Sequence, residues 1–157
     1  AIKVKANGKA VIRIVRRSKS PVGVEENYRL IVSEVPKAPK IDQGVGIAFQ
    51  YSIPAFFTPK NADADVQWSA SVSKGNLVIK AVNNGSRRMR ITNLGVKKGS
   101  KTMSVSTGLS GYVLANSTRM WVLKGGAKGA SNGSTVQIVA EGDLGNINAT
   151  AVVGATN

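Results

Sequence analysis

The chain has 157 residues, with 22 Lys and Arg against 8 Asp and Glu, and neither cysteine nor histidine. That excludes disulfides, zinc–thiolate sites and thiol nucleophiles, and removes the commonest general base and metal ligand. A net charge of +14 favours acidic partners such as nucleic acid, an anionic membrane or an acidic protein, yet solvated Lys and Arg are also the ordinary surface of a small domain.

In chain order, alternating and β-branched runs predict strands over 1–5, 9–16, 27–35, 45–57, 66–72, 76–83, 87–93, 102–107, 112–114, 118–123, 134–142 and 148–153. The opening Ala1-Ile2-Lys3-Val4-Lys5 reads as strand alternation rather than as a secretory leader. Ala6-Asn7-Gly8, Lys74-Gly75, Asn83-Asn84-Gly85, Gly125-Gly126 and Gly142-Asp143 supply the turns. Helical periodicity is nearly absent, and no apolar run approaches the ~20 residues of a membrane helix. The fold class is therefore all-β, with the strand spacing of immunoglobulin-like sandwiches.

A boundary is expected near Thr58-Pro59-Lys60-Asn61-Ala62-Asp63, dividing the chain into 1–61 and 62–157. The second part has the size of a complete immunoglobulin-like domain of about 100 residues. The first is too short to close a seven-strand sandwich on its own. Its amino-terminal strands are expected to be missing from this chain, or else to come from another.

Residues 45–57 carry the most pointed signal. Val45, Ile47, Phe49, Tyr51, Ile53, Ala55 and Phe57 fall on one face of a strand, while the other face carries mostly small, polar or imino residues. Pro54 cannot donate to a ladder, so this strand belongs at a sheet edge or bulges there. A long apolar edge strand is an aggregation hazard unless something pairs with it. Ile53, Ala55 and Phe57 are expected to stay in the protein's own core. The preceding loop, Pro36 to Gly44, is rich in Pro, Lys and Gly and would let the comb be presented outward.

Other motifs carry less. Trp68 and Trp121 sit among β-rich neighbours and are expected in the core of the second domain. Gly44-Val45-Gly46 lacks a third glycine at dinucleotide spacing, and Gly125-Gly126-Ala127-Lys128-Gly129 lacks the phosphate-loop pattern. The carboxylate pairs Asp63/Asp65 and Glu141/Asp143 read as linker and turn residues. Asn84, Asn116, Asn132 and Asn148 head Asn-x-Ser/Thr sequons, which matter only in a eukaryotic secretory setting. The densest basic groups are Arg16-Arg17-Ser18-Lys19, Arg87-Arg88-Met89-Arg90 and Lys97-Lys98-Gly99-Ser100-Lys101. With so few acids and no histidine or cysteine, no catalytic residue, metal site or cofactor is proposed, and the chain reads as non-enzymatic.

Two segments together carry a family likeness. Tyr28-Arg29-Leu30-Ile31-Val32-Ser33-Glu34-Val35-Pro36 resembles the Tyr-Arg…Glu-hydrophobic-Pro strand of periplasmic pilus-assembly chaperones of the chaperone–usher family. The comb that follows, running into Phe56-Phe57-Thr58-Pro59, resembles that family's edge strand and domain exit. Gly111-Tyr112-Val113-Leu114, Arg119-Met120-Trp121-Val122-Leu123 and Gly142-Asp143-Leu144-Gly145-Asn146-Ile147 fit its carboxy-terminal half. The resemblance implies two immunoglobulin-like domains, the first incomplete here.

It also implies a periplasmic chaperone that lends a strand to pilin subunits and delivers them to an outer-membrane usher, without cofactor, nucleic acid or membrane insertion. Val45, Ile47, Phe49 and Tyr51 would be the donated side chains. One departure matters: the Arg and Lys with which family members hold the pilin carboxylate have no counterpart, Pro54 standing where the Lys is expected. Ser52-Ile53-Pro54-Ala55-Phe56-Phe57-Thr58-Pro59 looks closer to the archaic branch. Arg13 and Arg29 are the substitute candidates. Two rival readings are a structural pilus or adhesin subunit that accepts a strand, and a basic β-protein that binds nucleic acid or anionic surfaces.

Overall fold

The computed structural model describes residues 1–35 and 47–154, and its regular elements are all strands. They are β1 (Glu26–Ser33), β2 (Gln50–Phe57), β3 (Val66–Ser73), β4 (Asn76–Asn83), β5 (Met89–Lys98), β6 (Lys101–Ser104), β7 (Leu109–Val113), β8 (Ser117–Leu123), β9 (Thr135–Gly142) and β10 (Gly145–Gly154). They fall into two compact units, one of Ala1–Val22 with Glu26–Phe57, the other of Gly23–Glu25 with Thr58–Asn157.

The second unit is a two-layered sandwich. One layer runs β8-β4-β3 and the other β6-β5-β9, with β10 joining them. β10 pairs antiparallel with β9 over Gly145 to Val152, then parallel with β3 at Val153 and Gly154. Alternate residues of the facing layers fill the space between. Leu77, Ile79 and Ala81 of β4 meet Ile91, Leu94 and Val96 of β5 and Ile138 of β9, all essentially without solvent exposure. Each such Leu or Ile contributes about 1.5–3 kcal/mol by leaving water, which makes this the main stabilising cluster of the chain. Trp121 is buried and stacks on half-buried Trp68 at 5.8 Å between ring centroids, its indole N–H donating to the Ser110 carbonyl at 3.0 Å. Both tryptophans thus belong to the core.

β5 runs five residues past its predicted end at Asn93. Its pairing with β9 breaks between Thr92 and Gly95, a bulge in which Asn93 takes a left-handed φ of +51°. Asparagine tolerates that conformation, and here the amide oxygen accepts from the Gly108 N–H while the Gly108 carbonyl accepts from the Asn93 N–H, both at 2.9 Å. The strand therefore bends instead of ending.

One acid of this unit is buried. The Glu25 carboxylate accepts from the Arg88 guanidinium at 2.5 Å, the Arg88 backbone N–H at 3.0 Å and the Thr58 hydroxyl at 2.6 Å. Its own backbone N–H donates to the Ser86 carbonyl. A charge this shielded is tolerated because its oxygens are met by charge-assisted bonds.

The first unit has one ladder, β1 antiparallel to β2, pairing Glu26 with Phe57 through Ser33 with Gln50. The strands expected over 1–5 and 9–16 are not formed. Among the described residues no strand runs beside them, and alternation without a partner leaves backbone groups to water. Ile2, Val4, Val11, Ile12, Ile14 and Val15 are exposed accordingly. The Ala6-Asn7-Gly8 turn does form, closed by the Gly8 N–H on the Lys5 carbonyl at 2.9 Å.

Candidate functional site

The comb enters the structure at Ile47; Val45 lies outside the described residues. Ile47 and Phe49 precede β2, and Tyr51 lies within it. Beyond the last regular pair, the Glu34 N–H donates to the Phe49 carbonyl at 2.8 Å, and the Phe49 N–H donates to the Glu34 carboxylate at 3.1 Å. The Gln50 side-chain amide adds a bond to the Ser33 hydroxyl at 2.8 Å. The backbone of Phe49 is therefore tied to β1 while its ring is not covered.

That contact fixes the phase of the ladder. In an antiparallel pair, residues whose N–H and C=O point at the partner alternate with residues whose groups point away. Phe49 faces β1, so Tyr51, Ile53, Ala55 and Phe57 do as well, and Gln50, Ser52 and Pro54 direct theirs to the outer edge. Pro54 sits opposite Arg29 in a position where no bond to β1 is required of it. Among the described residues no strand pairs with that outer edge.

The same register sorts the side chains. Tyr51, Ile53, Ala55 and Phe57 share a face with Val32, Leu30, Tyr28 and Glu26, their cross-strand partners. Phe57 packs edge-on against Tyr28 at 5.7 Å. Near this end a cleft of about 400 Å³ is bounded by Ile14 to Ser18 on one side and by Tyr28, Leu30, Ala55 and Phe57 on the other. Toward the other end the face opens: exposure is 47% at Ile53, 59% at Tyr51 and Phe49, and 72% at Ile47. Ile53, expected in the core with Ala55 and Phe57, is thus exposed, because the 14–18 segment covers only the far end of the ribbon.

The two candidate anchors are not equivalent. Arg29 lines the cleft together with Arg16 and Arg17, whereas Arg13 is exposed and does not line it. Arg16, read from sequence only as part of a dense basic group and not as an anchor, is the organised arginine. Its guanidinium grips the Glu26 carboxylate through two bonds of 2.7 and 2.6 Å and donates to the Ser18 and Ser20 carbonyls at 2.8 and 2.6 Å. The Tyr28 hydroxyl donates to the same carboxylate at 3.0 Å.

These bonds hold the Glu26 carboxyl below the usual carboxylate range, Arg16 being the larger cause, and push the Tyr28 phenol up, chiefly through its bond to Glu26. Only tertiary structure could reveal this cluster, since ten residues separate Arg16 from Glu26 with no regular element between them.

The arrangement can do one kind of chemistry well. It offers an extended backbone edge that no strand pairs with at Gln50 and Ser52 among the described residues, flanked by alternate apolar side chains. Among the described residues no group of three or more His, Cys, Asp or Glu gathers where it could hold a metal ion.

Residues 1–63 match the family profile described as pili and flagellar-assembly chaperone, PapD N-terminal domain. Among curated proteins no sequence matches the chain. Among solved structures, the YadV chaperone superposes with a TM-score of 0.56 at 18% identity over 87% of this chain. The CupB2 chaperone of Pseudomonas aeruginosa gives 0.53 at 19% identity over 88%. A chain of the CsuC–CsuE chaperone–tip adhesion subunit pre-assembly complex, from the archaic chaperone-usher Csu pili of Acinetobacter baumannii, gives 0.52 at 26% identity over 90%. This chain spans 66%, 63% and 65% of the lengths of those three. The first 63 residues thus carry the pattern of the amino-terminal domain of pilus-assembly chaperones, and the described strands share the immunoglobulin-like all-β fold of these chaperone structures.

Proposed function

We propose that this chain acts as a periplasmic chaperone that binds pilin subunits by donor-strand complementation and delivers them to an outer-membrane usher. In this reading residues 1–61 belong to the chaperone's first domain and residues 62–157 form its second. The observation that carries it is the outer edge of β2, which no strand among the described residues pairs with at Gln50 and Ser52 and which is fronted by exposed Ile47, Phe49 and Tyr51.

An incomplete sandwich that lacks a strand would pair its backbone with that edge, whatever its own sequence, and bury the alternate side chains in its groove. Val45 continues the series on the residues before Ile47. Each fully buried anchor contributes about 1.5–3 kcal/mol before ordering costs are subtracted, so a few of them hold a subunit while leaving it exchangeable. The CsuC–CsuE structure, a chaperone–tip adhesion subunit pre-assembly complex, supports binding of a pilus subunit here. Arg29, bordering the cleft, is better situated than Arg13 to meet a subunit carboxylate. No step makes or breaks a covalent bond, and the chain is not an enzyme.

The test is co-expression with a pilin subunit. Ile47→Asp and Phe49→Asp should each lower recovery of the complex at least about tenfold, since a charge would enter an apolar groove. Leu144→Asp, an equally exposed apolar position on the β9–β10 hairpin, should leave recovery unchanged. Undiminished complex with folded Ile47 and Phe49 variants overturns the assignment.

A further inference from the structure

The acids of the second unit gather at one end together with Arg87, Arg88 and Arg90, while six lysines gather at the other, and the assignment above uses neither end. At one end three loops meet: the β3–β4 turn with Lys74, the β5–β6 hairpin with Lys97, Lys98 and Lys101, and the segment after β8 with Lys124 and Lys128. Backbone and side-chain bonds stitch them together. The Ala127 N–H donates to the Gly75 carbonyl at 3.4 Å, the Gly125 N–H to the Asn76 side-chain oxygen at 3.0 Å, and the Lys98 ammonium to the Lys128 carbonyl at 2.7 Å. Gly129 makes that last contact feasible, since a Cβ there would collide with the Lys98 amine. All six lysines are exposed.

The acids lie at the other end. Asp63 and Asp65 precede β3, tied to Arg87 and Asn84 by backbone bonds, and Glu141 and Asp143 sit on the β9–β10 hairpin, meeting Asn93 and Arg87. Between the ends run eight-residue strands such as β4, roughly 23 Å at the rise of a strand, more than two Debye lengths at physiological salt. The lysine end therefore receives almost no compensation from the acids of its own unit. Six like charges held on mutually bonded loops give this end a local positive potential that draws anions to it.

We propose that this lysine end is a docking surface for the headgroups of an anionic phospholipid membrane. Its composition selects that partner. The three loops contain no arginine, so the planar fork that reads single carboxylates or base edges is absent. They contain no aromatic residue, so nothing stacks on nucleobases, and no large apolar tip that would insert into a bilayer. Ammonium groups are strongly hydrated and depleted from protein–protein interface cores. Clustered lysines suit a wet, delocalised layer of phosphates, where each contributes independently.

The experiment is sedimentation of the purified chain with vesicles containing about 30% phosphatidylglycerol, against vesicles of phosphatidylcholine alone. Binding should appear only with the anionic vesicles and fall steeply between about 50 and about 300 mM salt. Replacing Lys74, Lys101 and Lys124 together by Gln should weaken it on the order of a hundredfold, at about fivefold per lysine. Replacing Lys3, Lys60 and Lys80 by Gln removes the same charge elsewhere and should leave most of the binding. Equal losses in the two triple variants, equal binding to neutral vesicles, or retention of a single-stranded oligonucleotide without vesicle binding would each overturn the proposal. An unchanged thermal midpoint shows that the loop variants remain folded.

Discussion

At the scale of single residues, Asn83 shows how much one polar side chain can organise. It is fully buried at the end of β4. Its amide oxygen accepts from the Asp65 and Gly85 N–H groups at 3.1 and 2.9 Å, and its NH₂ donates to the Arg87, Val113 and Leu114 carbonyls at 2.7, 3.1 and 3.1 Å. Four chain segments are thereby tied to one point. Asn83→Ala should destabilise the second unit by about 3 kcal/mol, because several buried backbone groups lose their partner at once, and urea unfolding monitored by tryptophan fluorescence would measure it. In sequence the residue looked like the first position of an ordinary Asn-Asn-Gly turn. The turn was legible there, but its burial was not, since nothing local indicates that β7 ends beside it. Pro54 was the opposite case: its missing donor alone marked an outer-edge position, and the ladder phase agrees.

At the scale of elements, the β1–β2 ribbon is two strands long, a size that is marginal in water without further cover. Arg16, Glu26 and Tyr28 fasten the 14–18 segment onto it, and this lock is sensitive to pH at both extremes. The Glu26 carboxyl is held below its ordinary value of 4.5, so its contribution is fully present above that value and is lost as pH falls through the lowered one. The Tyr28 phenol is raised above its ordinary value of 10.0, so its contribution is present below that value and is lost as pH rises through the raised one. An NMR titration should find the Glu26 carboxyl below 4.5, and Glu26→Gln should return the Tyr28 transition toward 10.0. Strand reading from sequence succeeded where a partner strand existed. β4 falls on the predicted residues, because Leu77, Ile79 and Ala81 alternate inward against a complete opposing layer. It failed at 1–5 and 9–16, where the alternation is as clear but no strand among the described residues pairs with it.

At the scale of the whole molecule, the two units differ in how their apolar residues are used. The second encloses a shared core, while the first leaves Ile47, Phe49, Tyr51 and Ile53 to solvent. Local opening should follow that difference. Amide hydrogen exchange should be slow along β4, β5 and β9 and orders of magnitude faster along β1 and β2, with protection of Gln50 and Ser52 appearing once a subunit is bound. Equal protection of the two units would contradict the picture of an unfilled edge. The all-β class, the turn positions, the one-sided comb and the absence of thiol or imidazole chemistry were determined by sequence alone, because alternation, turn propensity and composition are local properties. Which strand edges stay unpaired, how Arg16 finds Glu26, and the gathering of six lysines at one end were decided only by the tertiary structure. Those depend on which distant segments the sheet brings together, and no residue's own neighbours along the chain carry that information.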